Sequence, residues 1–267
     1  MKKLFLLFTL LSSFSFAQQD SLFLAKIERI QSKVLNEERI LNVYVPEGYH
    51  PDSVKTYPVV YVLDGSSDED FIHLTGIVQF LVMSQQMTPS IVVGIANVDR
   101  KRDFTYPTTI QKDKEDYPTT GHSEEFIRFL ETECIPFVQT YYKTNDKRMI
   151  IGQSLGGLVA SEILLKKTTL FNKYLIVSPS FWWNNQSLLN QFKEKTNRYK
   201  ELGTSVFLAV GSKEHAMMVK DARTFAKYLN FQLAEKQFHF EEYKKEDHGS
   251  ILHQAAFDGL KWLTKIN

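Results

Sequence analysis

Cysteine is nearly absent: Cys134 is the only one in 267 residues, which excludes an intrachain disulfide framework and any cysteine-built metal cluster. Set among Phe129, Leu130, Ile135, Phe137 and Val138, it reads as a small buried hydrophobe rather than a reactive thiol. Basic runs of the kind that track phosphates are missing too, so nucleic acid is a poor partner. No internal repeat, low-complexity linker or propeller-sized extension occurs, and no apolar run reaches the roughly 20 residues of a membrane span. What is present is ordinary for a globular protein, with 43% hydrophobic and 24% charged residues. The length suits one α/β domain with a full core, and most of the 13% aromatic residues should serve that core.

The first seventeen residues stand apart. Lys2 and Lys3 form a basic start, Leu4 to Leu11 an apolar stretch too short to cross a bilayer, and Ser15-Phe16-Ala17 a cleavage-site pattern. We therefore expect a signal peptide over 1–17, a single domain over 18–267, and a secreted or periplasmic product beginning near Gln18. No cysteine follows the apolar run to carry a lipid anchor. Without Lys2 and Lys3 the 32 basic residues fall to 30 against 31 acidic ones, leaving the mature chain close to neutral.

Along the rest of the chain, Leu41, Val43 and Val45 alternate with Asn42 and Tyr44, as in a half-buried strand. Tyr57 to Leu63 and Ile91 to Ala96 are apolar enough for strands buried on both faces. Asp70 to Gln86 has helical apolar spacing. Asn97 to His122 has few apolar anchors and reads as a long functional loop. A helix is expected over Glu124 to Tyr141, with Ser123 as N-cap and a kink at Pro136. Strands at 148–151, 173–177, 205–210 and 237–243 then alternate with helices at 155–167, 187–199, 219–229 and 253–265. This alternation calls for a mostly parallel central sheet with helices on both faces, an α/β fold. In such sheets ligands bind beyond the carboxyl ends of the strands.

Gly152-Gln153-Ser154-Leu155-Gly156 has the form G-x-S-x-G, and its context gives it weight. Met149-Ile150-Ile151 is a strand just before it, and Gly157 to Leu165 a helix just after. Such a strand-to-helix turn lifts a serine hydroxyl out of the sheet on a strained backbone. A serine hydroxyl needs a base to take its proton. Among seven histidines, His248 follows the last strand and precedes the last helix, as the fold requires; His215 and His253 compete. Glu214 lies three residues past Gly211, which ends the preceding strand. It gives the order serine, acid, histidine, with Asp247 as the second choice of acid and a solvated loop charge as the bland alternative. The backbone N–H groups of Leu155 and of Ser66, in the loop after Leu63, are the candidate oxyanion donors. The chemistry is complete without a metal or an organic cofactor.

These segments resemble a known family. Tyr44-Val45-Pro46-Glu47-Gly48-Tyr49 and Tyr57 to Gly65 are similar to the opening of the putative esterase family (esterase D-like) of the α/β hydrolases. Ser178-Pro179-Ser180-Phe181-Trp182-Trp183, His248-Gly249-Ser250 and Asp258 to Leu263 look closer to its trilactone siderophore esterases, the enterobactin-type branch. The resemblance implies an α/β-hydrolase fold, a nucleophile at Ser154, a base at His248 and an oxyanion donor near Ser66. It leaves open whether an acid at Glu214 completes the pair. It also points to Arg100 and Arg102 as holders of an anionic or catecholate substrate, with Trp182 and Trp183 stacking on an aromatic acyl group. The expected partner is a small-molecule ester. Acyl transfer, feruloyl or acetyl esterase activity, and a binding protein on an inactive scaffold remain as alternatives. Oligomeric state is not legible.

Overall fold

The computed structural model describes residues 22–194 and 203–264. The signal-peptide expectation and the end of the helix expected over 187–199 lie outside these residues. Eight strands form one sheet in the order β1-β2-β4-β3-β5-β6-β7-β8. They are β1 (Lys26–Ser32), β2 (Glu37–Tyr44), β3 (Tyr57–Val62), β4 (Ile91–Ile95), β5 (Thr144–Gln153), β6 (Lys173–Val177), β7 (Ser205–Gly211) and β8 (Phe238–Tyr243). β2 runs antiparallel to both of its neighbours, β1 and β4. The remaining pairs are parallel. This is the mostly parallel sheet that the alternation of elements called for.

The central strands are apolar in both registers because helices cover both faces. Val60, Val62, Met149, Ile151, Leu175 and Phe207 pack against helix α1 (Phe71–Met83) and the C-terminal helix α9 (Ile251–Leu263). Val59, Tyr61, Ile150, Ile176, Val206 and Leu208 face the other way. There they meet α4 (Ser123–Phe129), α5 (Ile135–Tyr141), α6 (Leu155–Lys166), α7 (Ser187–Glu194) and α8 (Ala216–Gln232). Among the described residues no helix is long and apolar enough to cross a membrane.

Four local expectations are corrected. β1 was not foreseen: it is an edge strand whose Lys26, Glu28 and Arg29 break the apolar signal, and its ladder to β2 places it in the sheet. Asn42 and Tyr44 do not face solvent; β2 lies between β1 and β4, both residues are buried, and Asn42 Nδ2 donates to Gly65 O at 2.8 Å. The loop Asn97 to His122 carries two short helices, α2 (Arg100–Phe104) and α3 (Gln111–Asp116). Lastly, the helix beginning at Ser123 has His122, not Ser123, in the cap position, and it holds a π turn over Leu130–Cys134. Pro136 lacks an N–H and its ring crowds the carbonyl four residues earlier, so a wider turn just ahead of it accommodates both defects. Cys134 is buried as expected, and burial pushes its thiol up to about 12.

Arg39 on β2 is fully buried, and its guanidinium donates to Asp103, also fully buried, at 2.6 Å and to Glu37 at 2.9 Å. Phe126 and Phe129 lie 5.5 Å from its guanidinium carbon. Removing one partner of such a pair leaves a charge without compensation in low dielectric. We expect Arg39→Ala to lower unfolding free energy by about 3 kcal/mol, read as a lower urea midpoint in a denaturation series.

Candidate active site

Backbone geometry at the strand ends builds the site. Ser154, between β5 and α6, has φ 60° and ψ −118°, a region in which side-chain-bearing residues are strained. Hydrogen bonds hold it there: its N–H donates to Val177 O at 3.1 Å, and its carbonyl accepts from Ser180 at 3.0 Å and Leu158 at 2.9 Å. Gly152 permits the sharp crossing, since a Cβ at that position would sit 2.4 Å from Gly156 O. Asp64 after β3 and Ser178 after β6 share the positive φ, at 54° and 45°. Three neighbouring strand ends thus turn sharply toward one region.

Glu214 and His248 meet across the ends of β7 and β8. His248 Nδ1 lies 2.8 Å from Glu214 Oε2. The other carboxylate oxygen accepts from Gly211 N–H at 2.7 Å and from the Ser178 hydroxyl. Burial pushes the Glu214 carboxyl up, but the hydrogen bonds from His248, Ser178 and Gly211 outweigh it and leave the group below its ordinary value. A carboxylate on Nδ1 leaves Nε2 as the proton acceptor of a neutral imidazole. Gln153 Nε2 donates to His248 O at 2.6 Å, tying the histidine loop to the serine turn. Asp247, the other acid considered, instead accepts from Gly249 and Ser250 N–H, each at 3.0 Å, and caps the approach to α9.

Ser154, Ser180, Trp182, Glu214, His215, Met218 and His248 line one open cleft of about 260 Å³. Ser154 Oγ lies 3.3 Å from Ser180 Oγ, and that hydroxyl, rather than His248, is its hydrogen-bond partner in this structure. His215 shares the cleft, but its Nδ1 accepts from Met217 N–H at the start of α8. His253 is engaged with His73, the two rings stacked at 5.2 Å.

Leu155 opens α6, so its N–H lacks an intrahelical acceptor. The Ser66 N–H is donated to Glu69 Oε2 at 3.2 Å, so a substrate oxyanion would have to displace that carboxylate. Glu69 belongs to a polar cluster with Asp64, Asp70, Asn97 and Arg100. Arg100 binds Asp64 through two bonds of 2.6 and 2.8 Å and reaches Gln153 O at 3.3 Å. Burial first, then Asp64 and Glu69, push the Asp70 carboxyl up to about 6. Its side chain makes no capping bond. A carboxyl raised in this way favours folding below its ordinary value of 3.8, and that contribution is lost as pH rises through about 6. Asp70→Asn should therefore stabilise the protein at pH 8. The full effect is about 3 kcal/mol, which solvent access around this partly open carboxyl reduces to about 1–2 kcal/mol. The gain should vanish near pH 4, as read by urea unfolding at both pH values.

Three of the expected substrate-binding residues have partners within the protein. Arg100 is bound to Asp64, and Arg102 spans Glu37 and Asp103. Trp183 is fully buried, with its indole N–H on Tyr106 O at 2.8 Å. Trp182 alone of these four lines the cleft. Ser178 and Ser180 were missed. Their signal was available, because Ser178-Pro179-Ser180 directly follows β6 at its carboxyl end.

Comparison with known proteins agrees with this architecture. The family model described as Putative esterase matches residues 32–258. The chain is 31% identical to the ferri-bacillibactin esterase BesA of Bacillus subtilis, over 81% of this chain and 82% of that one. An IroE-like serine hydrolase from Shewanella oneidensis superposes with a TM-score of 0.80 at 29% identity, covering 90% of this chain and 80% of that one. The BES protein from Bacillus cereus superposes with a TM-score of 0.77 at 28% identity, covering 93% and 99%. The chain is therefore a member of the putative esterase family of α/β hydrolases, and an ester hydrolase.

Proposed function

We propose that the protein hydrolyses siderophore-like carboxylic esters through an acyl-enzyme on Ser154, with His248 as general base and Glu214 as the acid that orients it. The observation carrying this reading is the 2.8 Å contact between His248 Nδ1 and Glu214 Oε2 beside a strained serine in the same cleft. Attack begins when the Ser154 hydroxyl leaves Ser180 for His248 Nε2, a contact that tightens once substrate is bound. The serine oxygen bonds to the ester carbon as its proton passes to Nε2, and the carbonyl electrons move onto the oxyanion. Leu155 N–H, with Ser66 N–H freed from Glu69, stabilises that charge. Collapse expels the alcohol, which takes the proton back from His248. Water, deprotonated by the same nitrogen, then releases the acid and frees Ser154.

The siderophore preference rests on the relatives, among them the ferri-bacillibactin esterase. Export, and with it a reaction outside the cytoplasm, is part of this reading and is supported by the basic and apolar pattern of residues 1–17. The test is a substrate panel: p-nitrophenyl acetate and butyrate, a feruloyl ester, acetylated xylan and a catecholate trilactone. Highest turnover on the trilactone supports the reading. Highest turnover on the feruloyl ester or xylan moves the protein to the carbohydrate-esterase branch.

A further inference from the structure

From the structure we infer that His215 determines specificity, its Nε2–H donating to a hydrogen-bond acceptor on the alcohol portion of the ester. This deepens the hydrolase reading and rests on it. His215 and His248 both line the cleft with Ser154, and their hydrogen bonds give them opposite chemistry. At His248 the Glu214 carboxylate takes Nδ1 at 2.8 Å, so Nδ1 carries the proton and Nε2 accepts. At His215 the pattern is reversed, because Nδ1 accepts from Met217 N–H at 3.3 Å. A nitrogen that accepts carries no proton, so the proton of the neutral His215 ring sits on Nε2. His215 therefore offers the cleft a donor, where His248 offers a base.

That donor has no hydrogen-bond partner among the described residues. The other polar groups of the cleft are already engaged. Ser154 Oγ and Ser180 Oγ lie 3.3 Å apart, and the Glu214 carboxylate is taken by Gly211, Ser178 and His248. Neighbouring Met218, 8% exposed, supplies apolar surface to the same cleft. The wall formed by His215 and Met218 is thus apolar with one donor set in it, which suits a carbon chain interrupted by an acceptor.

Sheet order decides which part of the ester meets this wall. The oxyanion donors Ser66 and Leu155 follow β3 and β5, whereas His215 follows β7 and His248 follows β8, in the order β3-β5-β6-β7-β8. The ester carbonyl oxygen points toward β3. The leaving oxygen, which takes its proton back from His248, lies toward β8, and the alcohol portion lies against the loop after β7. The donor is also fixed beforehand, which favours binding. Glu214, one residue earlier, is tied to Gly211 N–H at 2.7 Å, and His215 itself caps α8 through Nδ1.

The test uses two esters of one acid, n-butyl butyrate and 2-methoxyethyl butyrate, whose alcohols differ by an ether oxygen in place of one methylene. Butyrate release is followed in a pH-stat. Asn keeps an acceptor for the cap but is too short to reach as Nε2 does, whereas Gln places an amide donor near the Nε2 position. In His215→Asn we expect kcat/KM for the methoxyethyl ester to fall about 5-fold, the weight of one neutral hydrogen bond, with the butyl ester unchanged. His215→Gln should retain most of the wild-type ratio between the two esters. Equal losses on both esters, no change in His215→Asn, or a ratio lost as fully in Gln as in Asn would overturn the inference and leave the hydrolase reading intact. Wild-type turnover of n-butyl butyrate no higher than that of Ser154→Ala would end both.

Discussion

Ser154→Ala should lose ester hydrolysis by on the order of 10⁶-fold in kcat, with no loss of folded protein. The substitution deletes one oxygen whose contact in the resting structure is the Ser180 hydroxyl. Alanine meets the same backbone strain at φ 60° that serine already bears. The hydrogen bonds that hold the turn come from the main chain of Ser154, Ser180 and Leu158 and are kept. Thermal unfolding should therefore match wild type, which separates a chemical loss from a structural one. Residual rate would come from the oxyanion donors and binding alone. A variant retaining a tenth of wild-type kcat would show that attack takes place elsewhere.

The second large effect is expected at Glu214. Gln has the same shape, but its amide carries donors on one side. Glu214 Oε1 accepts from Gly211 N–H and Ser178, so the Gln carbonyl is held there and its NH₂ faces His248. Nδ1 must then accept, the ring proton moves to Nε2, and the nitrogen facing the cleft can no longer take the serine proton. A loss of about 10⁴-fold in kcat follows for Glu214→Gln, measured with p-nitrophenyl butyrate. Asp247→Asn is the control: that side chain serves the turn into α9, and kcat should stay within a few-fold of wild type. The depressed carboxyl of Glu214 also links to stability. Its contribution is present above the ordinary range of a glutamate and is lost as pH falls through its lower folded value. Wild type should therefore lose more stability on acidification than Glu214→Gln does.

These groups were legible because the fold's logic is local at each strand end. Gly152 to Gly156 sits between an apolar strand and a helix. Glu214 and His248 each follow a strand, so their meeting needs only that β7 and β8 be neighbours, as they are. The partners of the arginines were illegible for the opposite reason. What decides Arg100 and Arg102 is a carboxylate 36 or 65 residues earlier, and no pattern in the run 100–102 reveals Asp64 or Glu37. Trp182 and Trp183 are adjacent in sequence, yet one lines the cleft and the other is buried beneath it. The turn that parts them follows Ser178 at φ 45° and is fixed by Tyr106 from a distant loop. Edge strand β1 escaped because Glu28 and Arg29 together separate Ile27 from Ile30 and break the two-residue alternation of a strand, so the segment gains meaning only from its pairing with β2.

The central claim is that the acyl group is carried on Ser154. Acid-quenched pre-steady-state turnover of p-nitrophenyl butyrate, followed by peptide mass spectrometry, tests it directly. We expect a burst of p-nitrophenol near one equivalent and a butyryl adduct on the peptide containing Ser154, absent in Ser154→Ala. A burst with the adduct on another residue, or steady turnover unchanged in the variant, would contradict it.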